Sequence, residues 1–377
     1  MNILHVIPGD LWAGAEAQVY YTVKELNTLS PHKVRVILFS KGELYKRLSA
    51  ANVEVTLLDE SRLGNISICN GIKQQLIAGD VHIAHVHEYK SHMLTALARL
   101  TAAKKDCALF RTLHGQNVPS RFKSYLVLGC QKFFLRYMTD HLIAVSGQLE
   151  KRLSRQSTRA DVHLIYNAVD RRALLSPAEV AEIRRSYGLA AKQFWIGTAA
   201  RLEVVKNLQM LIEAAGYLRD QHPELSFRIS IFGEGSLRDV LKSQILQHGL
   251  TEHVFLEGHN NDIMPVLQSL DVFTLTSLHE GLPMSLLEAM SVGTIPVCTA
   301  VGGMKEVISH GEDGFLIAPA DAGELADTFA YINSEGTKLN PVRVRAREKI
   351  KQAFSVEQNC QKLFSLYEES YRAIMIS

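Results

Sequence analysis

Residues 272–293 read Val272-Phe273-Thr274-Leu275-Thr276-Ser277-Leu278-His279-Glu280-Gly281-Leu282-Pro283-Met284-Ser285-Leu286-Leu287-Glu288-Ala289-Met290-Ser291-Val292-Gly293. The opening apolar run has the length of a buried strand, a polar loop follows, and Pro283 sits where the first turn of a helix tolerates proline. That helix is predicted to run to about Val292 and to stop at Gly293. Strand, loop and helix in this order make one βα unit of a parallel sheet. Working outward, the unit repeats. Strands are predicted at 295–298 and 314–317 on one side, and at 253–256, 226–232 and 194–198 on the other. A polar, charged break over 171–192, containing Pro177, separates this set from an earlier one at 2–7, 33–39, 53–58, 81–86, 108–112, 141–145 and 162–165. Segments such as 15–29 and 91–103 are long enough for crossover helices. Near the end, Ser355-Val356-Glu357-Gln358 reads as a capping box opening a last helix to about Met375.

The expected fold is therefore α/β: two Rossmann-like, doubly wound parallel-sheet domains facing a cleft. The expected boundaries are 1–170, 171–354 and a C-terminal helix over 355–377 that packs back towards the first domain. In such sheets ligands bind outside the carboxyl ends of the strands, so the residues just after each strand are the ones to interrogate.

Composition narrows the classes. The 377 residues are 47% hydrophobic and 21% charged, an ordinary globular balance. Apolar runs are too short for a transmembrane helix, and the first residues lack the basic leader of a signal peptide. Five scattered cysteines without a C-x-x-C pair argue against a disulfide framework or a zinc finger, and make a reducing cytosol the expected home. Lys and Arg number 21 against 14 Asp and Glu up to Asp170, a surplus of +7, while the remainder carries −5. A basic first half suits an anionic partner such as phosphate or an acidic membrane surface, although ordinary scatter between domains explains it as well. No basic-aromatic cluster of a nucleic-acid-binding module is visible.

Glu280 falls on the loop after its strand and Glu288 about a turn and a half inside the helix. The segment Gly281-Leu282-Pro283-Met284 at the helix start offers unsatisfied amides as an anion site. Each carboxylate could meet ligand hydroxyls; alone, each reads more simply as a solvated surface charge. After the strand at 194–198, Arg201 and Lys206 lie five residues apart, a planar fork and a point charge suited to a diphosphate. The loop Gly9-Asp10-Leu11-Trp12-Ala13-Gly14-Ala15-Glu16 follows the first strand, and its small residues allow close backbone approach to phosphate or sugar. It is not G-x-G-x-x-G, and no acidic residue ends the second strand, which disfavours a nicotinamide cofactor. His114 follows another strand and could donate to a sugar hydroxyl or phosphate. The stretch His82-Ile83-Ala84-His85-Val86-His87-Glu88 invites a metal reading, but lacks an H-E-x-x-H helix or a cysteine partner. No D-x-D pair occurs anywhere in the chain, so phosphate charge would have to be met by Arg201, Lys206 and helix amides. A basic-aromatic stretch from Ser120 to Tyr137 reads as a core helix with a basic face, or as a membrane-docking one.

Together these features resemble the retaining, nucleotide-sugar-dependent glycosyltransferases of GT-B fold, glycosyltransferase family 4. The resemblance rests on Ala13-Gly14-Ala15-Glu16 for G-G-x-E, on Ala200-Arg201-Leu202 through Lys206-Asn207 for G-R-L-x-x-x-K-N, and on Glu280 to Glu288 for E-x₇-E. Further matches are Gly233-Glu234-Gly235, Ile165-Tyr166-Asn167-Ala168-Val169-Asp170 and Gly302-Gly303-Met304-Lys305-Glu306. Alanine replaces a family glycine at 13, 168 and 200. The resemblance implies that Arg201 and Lys206 bind the donor diphosphate, that Glu288 holds the ribose and that Glu280 orients the donor sugar. It implies that Gly14 approaches the donor phosphate or acceptor and that His114 meets the transferred sugar. The loop with His259 is expected near the base, and Gly233 in the donor site. The implied activity is metal-independent transfer of a hexose from a nucleotide diphosphate to a glycan or lipid-linked acceptor of the cell envelope, without a cofactor. It is expected in the cytoplasm, with peripheral contact at the inner membrane face. A nucleotide-sugar 2-epimerase and a nucleotide-sugar-binding protein without turnover remain as alternatives.

Overall fold

The computed structural model describes residues 1–376 apart from 11, 29–31, 115–128, 130–132, 157–158 and 171. Strands covered on both faces must be apolar nearly throughout, and β1 (Asn2–Ile7) buries every residue but Asn2. The chain divides into two compact units, residues 1–168 with 356–377, and residues 169–355. In the first, β1 is joined by β2 (Lys33–Leu38), β3 (Glu54–Leu57), β4 (Ile83–Val86), β5 (Ala108–Leu113), β6 (His141–Ala144) and β7 (Asp161–Leu164). They form a seven-stranded parallel sheet in the order β3-β2-β1-β4-β5-β6-β7. Its helices include α1 (Gly14–Leu26), α2 (Glu43–Ala50), α3 (Asn65–Ala78), α4 (Tyr89–Thr101) and α5 (Gly147–Arg155). Ile68, Ile72 and Leu76 of α3 recur at helical spacing and close one core over Leu4, Val6, Ala84 and Val86.

The second unit runs α6 (Pro177–Ser186), β8 (Phe194–Ala199), α7 (Leu208–Gln221), β9 (Phe227–Phe232), α8 (Arg238–Gln247), β10 (Val254–Gly258), α9 (Met264–Ser269) and β11 (Val272–Leu275). It continues through α10 (Met284–Ser291), β12 (Ile295–Thr299), α11 (Met304–Val307), β13 (Phe315–Ile317), α12 (Ala322–Glu335) and α13 (Asn340–Ala353). Its six parallel strands lie in the order β10-β9-β8-β11-β12-β13. Each sheet thus reverses its winding once, between β1 and β4 and between β8 and β11. Those reversals are the topological switch points at which α/β sheets bind ligands.

The stretch read as a polar break holds α6. Its start was legible in principle. Ser176 accepts from the Glu179 amide at 3.3 Å, Glu179 accepts from the Ser176 amide at 2.7 Å, and Pro177 takes the first position. What fixes α6 is long-range: Arg184 pairs with Asp271 at 3.1 Å, and Asp271 also accepts from the Trp195 amide of β8 at 2.8 Å. The last helix, α14 (Val356–Ile376), packs on α1 and β5 within the first unit. There Tyr367 is fully buried edge-on against Phe110, with ring centroids 4.9 Å apart. Among the described residues no helix is long and apolar enough to cross a membrane. Most of the basic-aromatic stretch from Ser120, with Tyr125 and Lys132, lies outside the described residues; at its end Phe134 joins the first core.

Candidate functional site

In the second unit the loops leaving β8 and β11 meet at the switch point. After Arg201 the chain makes a short 3-10 turn at Val204–Lys206, and Asn207 at φ 48° turns it into α7. Lys206 Nζ then lies 2.5 Å from Glu280 Oε1, with side chains only 16% and 11% exposed. Ser277 donates to the same carboxylate oxygen at 2.7 Å. Backbone links hold the two loops in register. The Leu278 amide donates to the Val205 carbonyl at 2.8 Å, and Thr276 Oγ1 donates to the Lys206 and Asn207 carbonyls at 3.0 Å. Arg201 lies outside this pair, exposed and bonded to Glu203 at 2.9 Å.

Two glycine turns support these loops from behind. At Gly233 (φ +134°) an added Cβ would stand 2.0 Å from the Ala200 carbonyl oxygen, and at Gly302 (φ +53°) 2.1 Å from that of Glu280. Only glycine lets the loops after β9 and β12 lean directly on the backbone that carries Arg201 and Glu280. Gly302→Ala is therefore expected to displace Glu280 and lower the melting temperature by several degrees, the consequence of about 1–3 kcal/mol of strain. Calorimetry and a turnover assay on the same preparation check both effects.

Pro283 precedes α10, and no side chain caps that helix start. Gly281, Leu282, Pro283 and Met284 are buried there, and Glu288 is half-buried one turn on. His259 is exposed just after β10, while the Gly233 amide donates to the Gly258 carbonyl at 2.7 Å.

In the first unit, Gly14 opens α1, and Glu16 reaches back to accept from the Ala13 amide at 3.3 Å. Burial, aided by the charges of Glu88 and Asp10, pushes the Glu16 carboxyl up to about 7. At the end of β5, burial brings His114 down to about 4, and the Arg111 charge adds to this. It is neutral at pH 7 and can donate a hydrogen bond, but it brings no cation to a phosphate. Arg111 itself is buried, donates to His92 Nδ1 at 3.0 Å and is lowered to about 10 by desolvation. His5, His85 and His87 are also buried, close enough to one another to share an ion. Both His85 nitrogens are engaged, however, by Tyr367 and Thr112, and His5 and His87 bond to each other.

Sequence reasoning thus named Lys206 and Glu280 but not Ser277, which orients Glu280. It also passed over Arg111, whose signal was a charge inside the otherwise apolar strand Ala108–Leu113, and His5.

The family model described as glycosyl transferases group 1 matches residues 179–352, and that of glycosyltransferase family 4 matches residues 12–172. The chain belongs to glycosyltransferase family 4. It is thus a glycosyltransferase of GT-B fold; the first of these regions carries Lys206 and Glu280, the second Gly14 and His114, and His5 lies outside both. A curated relative is the Escherichia coli UDP-Gal:alpha-D-GlcNAc-diphosphoundecaprenol alpha-1,3-galactosyltransferase, 28% identical over 297 residues, covering 76% of this glycosyltransferase and 74% of the relative. Another is the lipopolysaccharide core biosynthesis mannosyltransferase LpsB of Rhizobium meliloti, 24% identical over 249 residues, covering 65% and 69%. Among solved structures, Anabaena HepE in complex with UDP and glucose superposes with a TM-score of 0.86 at 23% identity, over 98% of this chain and 100% of that one.

Proposed function

We propose that this glycosyltransferase moves a hexose from a nucleotide diphosphate, UDP first and GDP next, to a hydroxyl of a glycan or lipid-linked acceptor in cell-envelope polysaccharide synthesis, with retention and without a metal. The observation that carries the proposal is the Lys206–Glu280 pair at the switch point of the second sheet. Transfer develops negative charge on the departing diphosphate. Lys206 and Arg201 supply cations there, and the uncapped start of α10 supplies amides. In this reading Glu280 orients the sugar hydroxyls, Glu288 holds the ribose, and the loop with His259 lies near the base. Gly14 and His114 of the first unit meet the phosphate and the transferred sugar. Metal independence is supported by the lack of a D-x-D pair in the sequence. Retention is supported by the family, with attack on the face that the diphosphate leaves. The acceptor class is supported by the named relatives, two of which act on lipid-linked or lipopolysaccharide acceptors, and by the basic first half.

A thermal-shift and hydrolysis screen against UDP-, GDP-, ADP- and dTDP-sugars in the presence of EDTA tests the proposal. Stabilisation by UDP-sugars, with slow release of the sugar, is expected; at a hundred times Kd the gain is about 2.7 kcal/mol. A requirement for added Mg²⁺ or Mn²⁺ would overturn metal independence. Interconversion of the donor sugar without an acceptor would overturn transfer as the main reaction.

A further inference from the structure

Three imidazoles of the first unit meet edge to edge across its switch point. His5 Nδ1 and His87 Nε2 are 3.0 Å apart, and His87 Nδ1 and His114 Nε2 are 3.3 Å apart. Their ring planes differ by only 14° and 28°, with centroids 5.3 and 5.6 Å apart, as in-line N–H···N contacts require. The two outer nitrogens, His5 Nε2 and His114 Nδ1, are buried and have no partner among the described residues.

A neutral imidazole carries one proton, so each ring donates through one nitrogen and accepts through the other. The three rings therefore share a single choice. Either every proton sits on Nδ1, leaving His5 Nε2 bare and making His114 Nδ1 a donor, or every proton sits on Nε2. The second arrangement seals an N–H at His5 Nε2 in a fully buried position. Each arrangement leaves one buried N–H unpaired, and such an orphan is costlier than an under-used acceptor unless a ligand oxygen meets it. The first arrangement leaves its unpaired N–H at His114 instead, the residue read above as meeting the sugar. We propose that His5 and His87 are positioning residues for sugar transfer: they form a hydrogen-bonded relay that fixes neutral His114 as an Nδ1–H donor to an oxygen of the transferred sugar.

All three rings are held neutral at pH 7 by burial, His5 down at about 3 and His114 at about 4, with His87 also well below the usual value. The relay therefore sets a tautomer and moves no net charge. His85 stacks on His87 at 4.4 Å but is tied to Tyr367 and Thr112, and so stands outside the chain of protons. The inference rests on the reading of His114 as a sugar contact.

Histidine-selective ¹⁵N labelling of the full chain at pH 7.5, with His114 assigned from the spectrum of His114→Gln, tests it. The expected result is a protonated Nδ1 and a bare Nε2 on His114; the opposite tautomer overturns the relay. In His87→Phe, or in His5→Phe should the first not fold, His114 is expected to lose its single tautomer, and an unchanged His114 signal again overturns the proposal. With a donor found active in the screen, His87→Phe should lower kcat roughly tenfold, the scale on which partners behind a histidine ligand act, with little change in the donor KM. Normal transfer by His114→Ala would remove the sugar contact whatever the tautomer. Loss of transfer in His114→Ala together with an Nε2–H His114 would overturn the relay alone.

Discussion

Lys206→Met is expected to cut sugar transfer by roughly two to three orders of magnitude, the loss seen when one preorganised group facing developing charge is removed. Methionine keeps most of the stem that packs beside Glu280 and deletes the charge, so the two roles of the lysine separate. As a structural partner Lys206 neutralises a carboxylate that is 11% exposed, and its loss leaves that charge unpaired. As a catalytic group it stabilises the leaving diphosphate. Only the second role predicts that kcat falls far more than the melting temperature does. Glu280→Gln supplies the complement: it keeps an acceptor for Ser277 Oγ, now 2.7 Å away, and removes the counter-charge of Lys206. If the pair acts as one unit, the double variant loses about as much as the worse single variant. Near-normal turnover by either single variant would refute the assignment of this site.

The strands were legible because they are buried on both faces, so that short apolar runs stand out between polar loops; the expected strand at 272–275 coincides with β11. Helix α6 was legible only at its capping box, since none of its residues is buried and its sequence carries no strong apolar stripe; an ion pair to Asp271 in a distant loop fixes it. The candidate site shows the same division. Arg201, Lys206, Glu280 and Glu288 were identified by the motifs around them. The contact between Lys206 and Glu280, 74 residues apart, exists because β11 inserts beside β8, and spacing along the chain carries no trace of that. His5 is the clearest omission. It looks like one polar residue inside an apolar strand, and becomes part of a cluster only when β4 pairs with β1 and places it opposite His85.

Mild acid should unfold the first unit. Its rings His5, His85, His87 and His92 are buried and His114 is half-buried, all neutral with proton affinities depressed by desolvation. In the unfolded chain each takes up its proton near pH 6.5. The folded rings do so only towards the values of about 3 for His5 and about 4 for His114. The stability they confer is thus fully present above about pH 6.5; for His5 and His114 it falls by about 1.4 kcal/mol for each pH unit below that, or about 2 kcal/mol each at pH 5, and His85, His87 and His92 act in the same direction. Glu16 runs the other way. Its folded carboxyl titrates near 7, so acid relieves a buried charge and returns about 2 kcal/mol between pH 7 and 5. His5 and His114 together lose about 4 kcal/mol over the same range, more than Glu16 returns, and that is a large share of the roughly 5–15 kcal/mol that holds a domain folded. A steep fall of the melting temperature between pH 6.5 and 5 is expected, with limited proteolysis at pH 5 cutting first within residues 1–168. Exposed carboxylates titrate mostly below that window, so they cannot produce the same fall. His92 is the ring to replace as a control, because it lies outside the proposed relay: its Nδ1 accepts from Arg111 and its Nε2 faces Thr139 at 2.8 Å. A melting temperature flat from pH 7 to 5 would mean that these rings take up protons while the unit stays folded, and that the first sheet is not held by uncharged histidines.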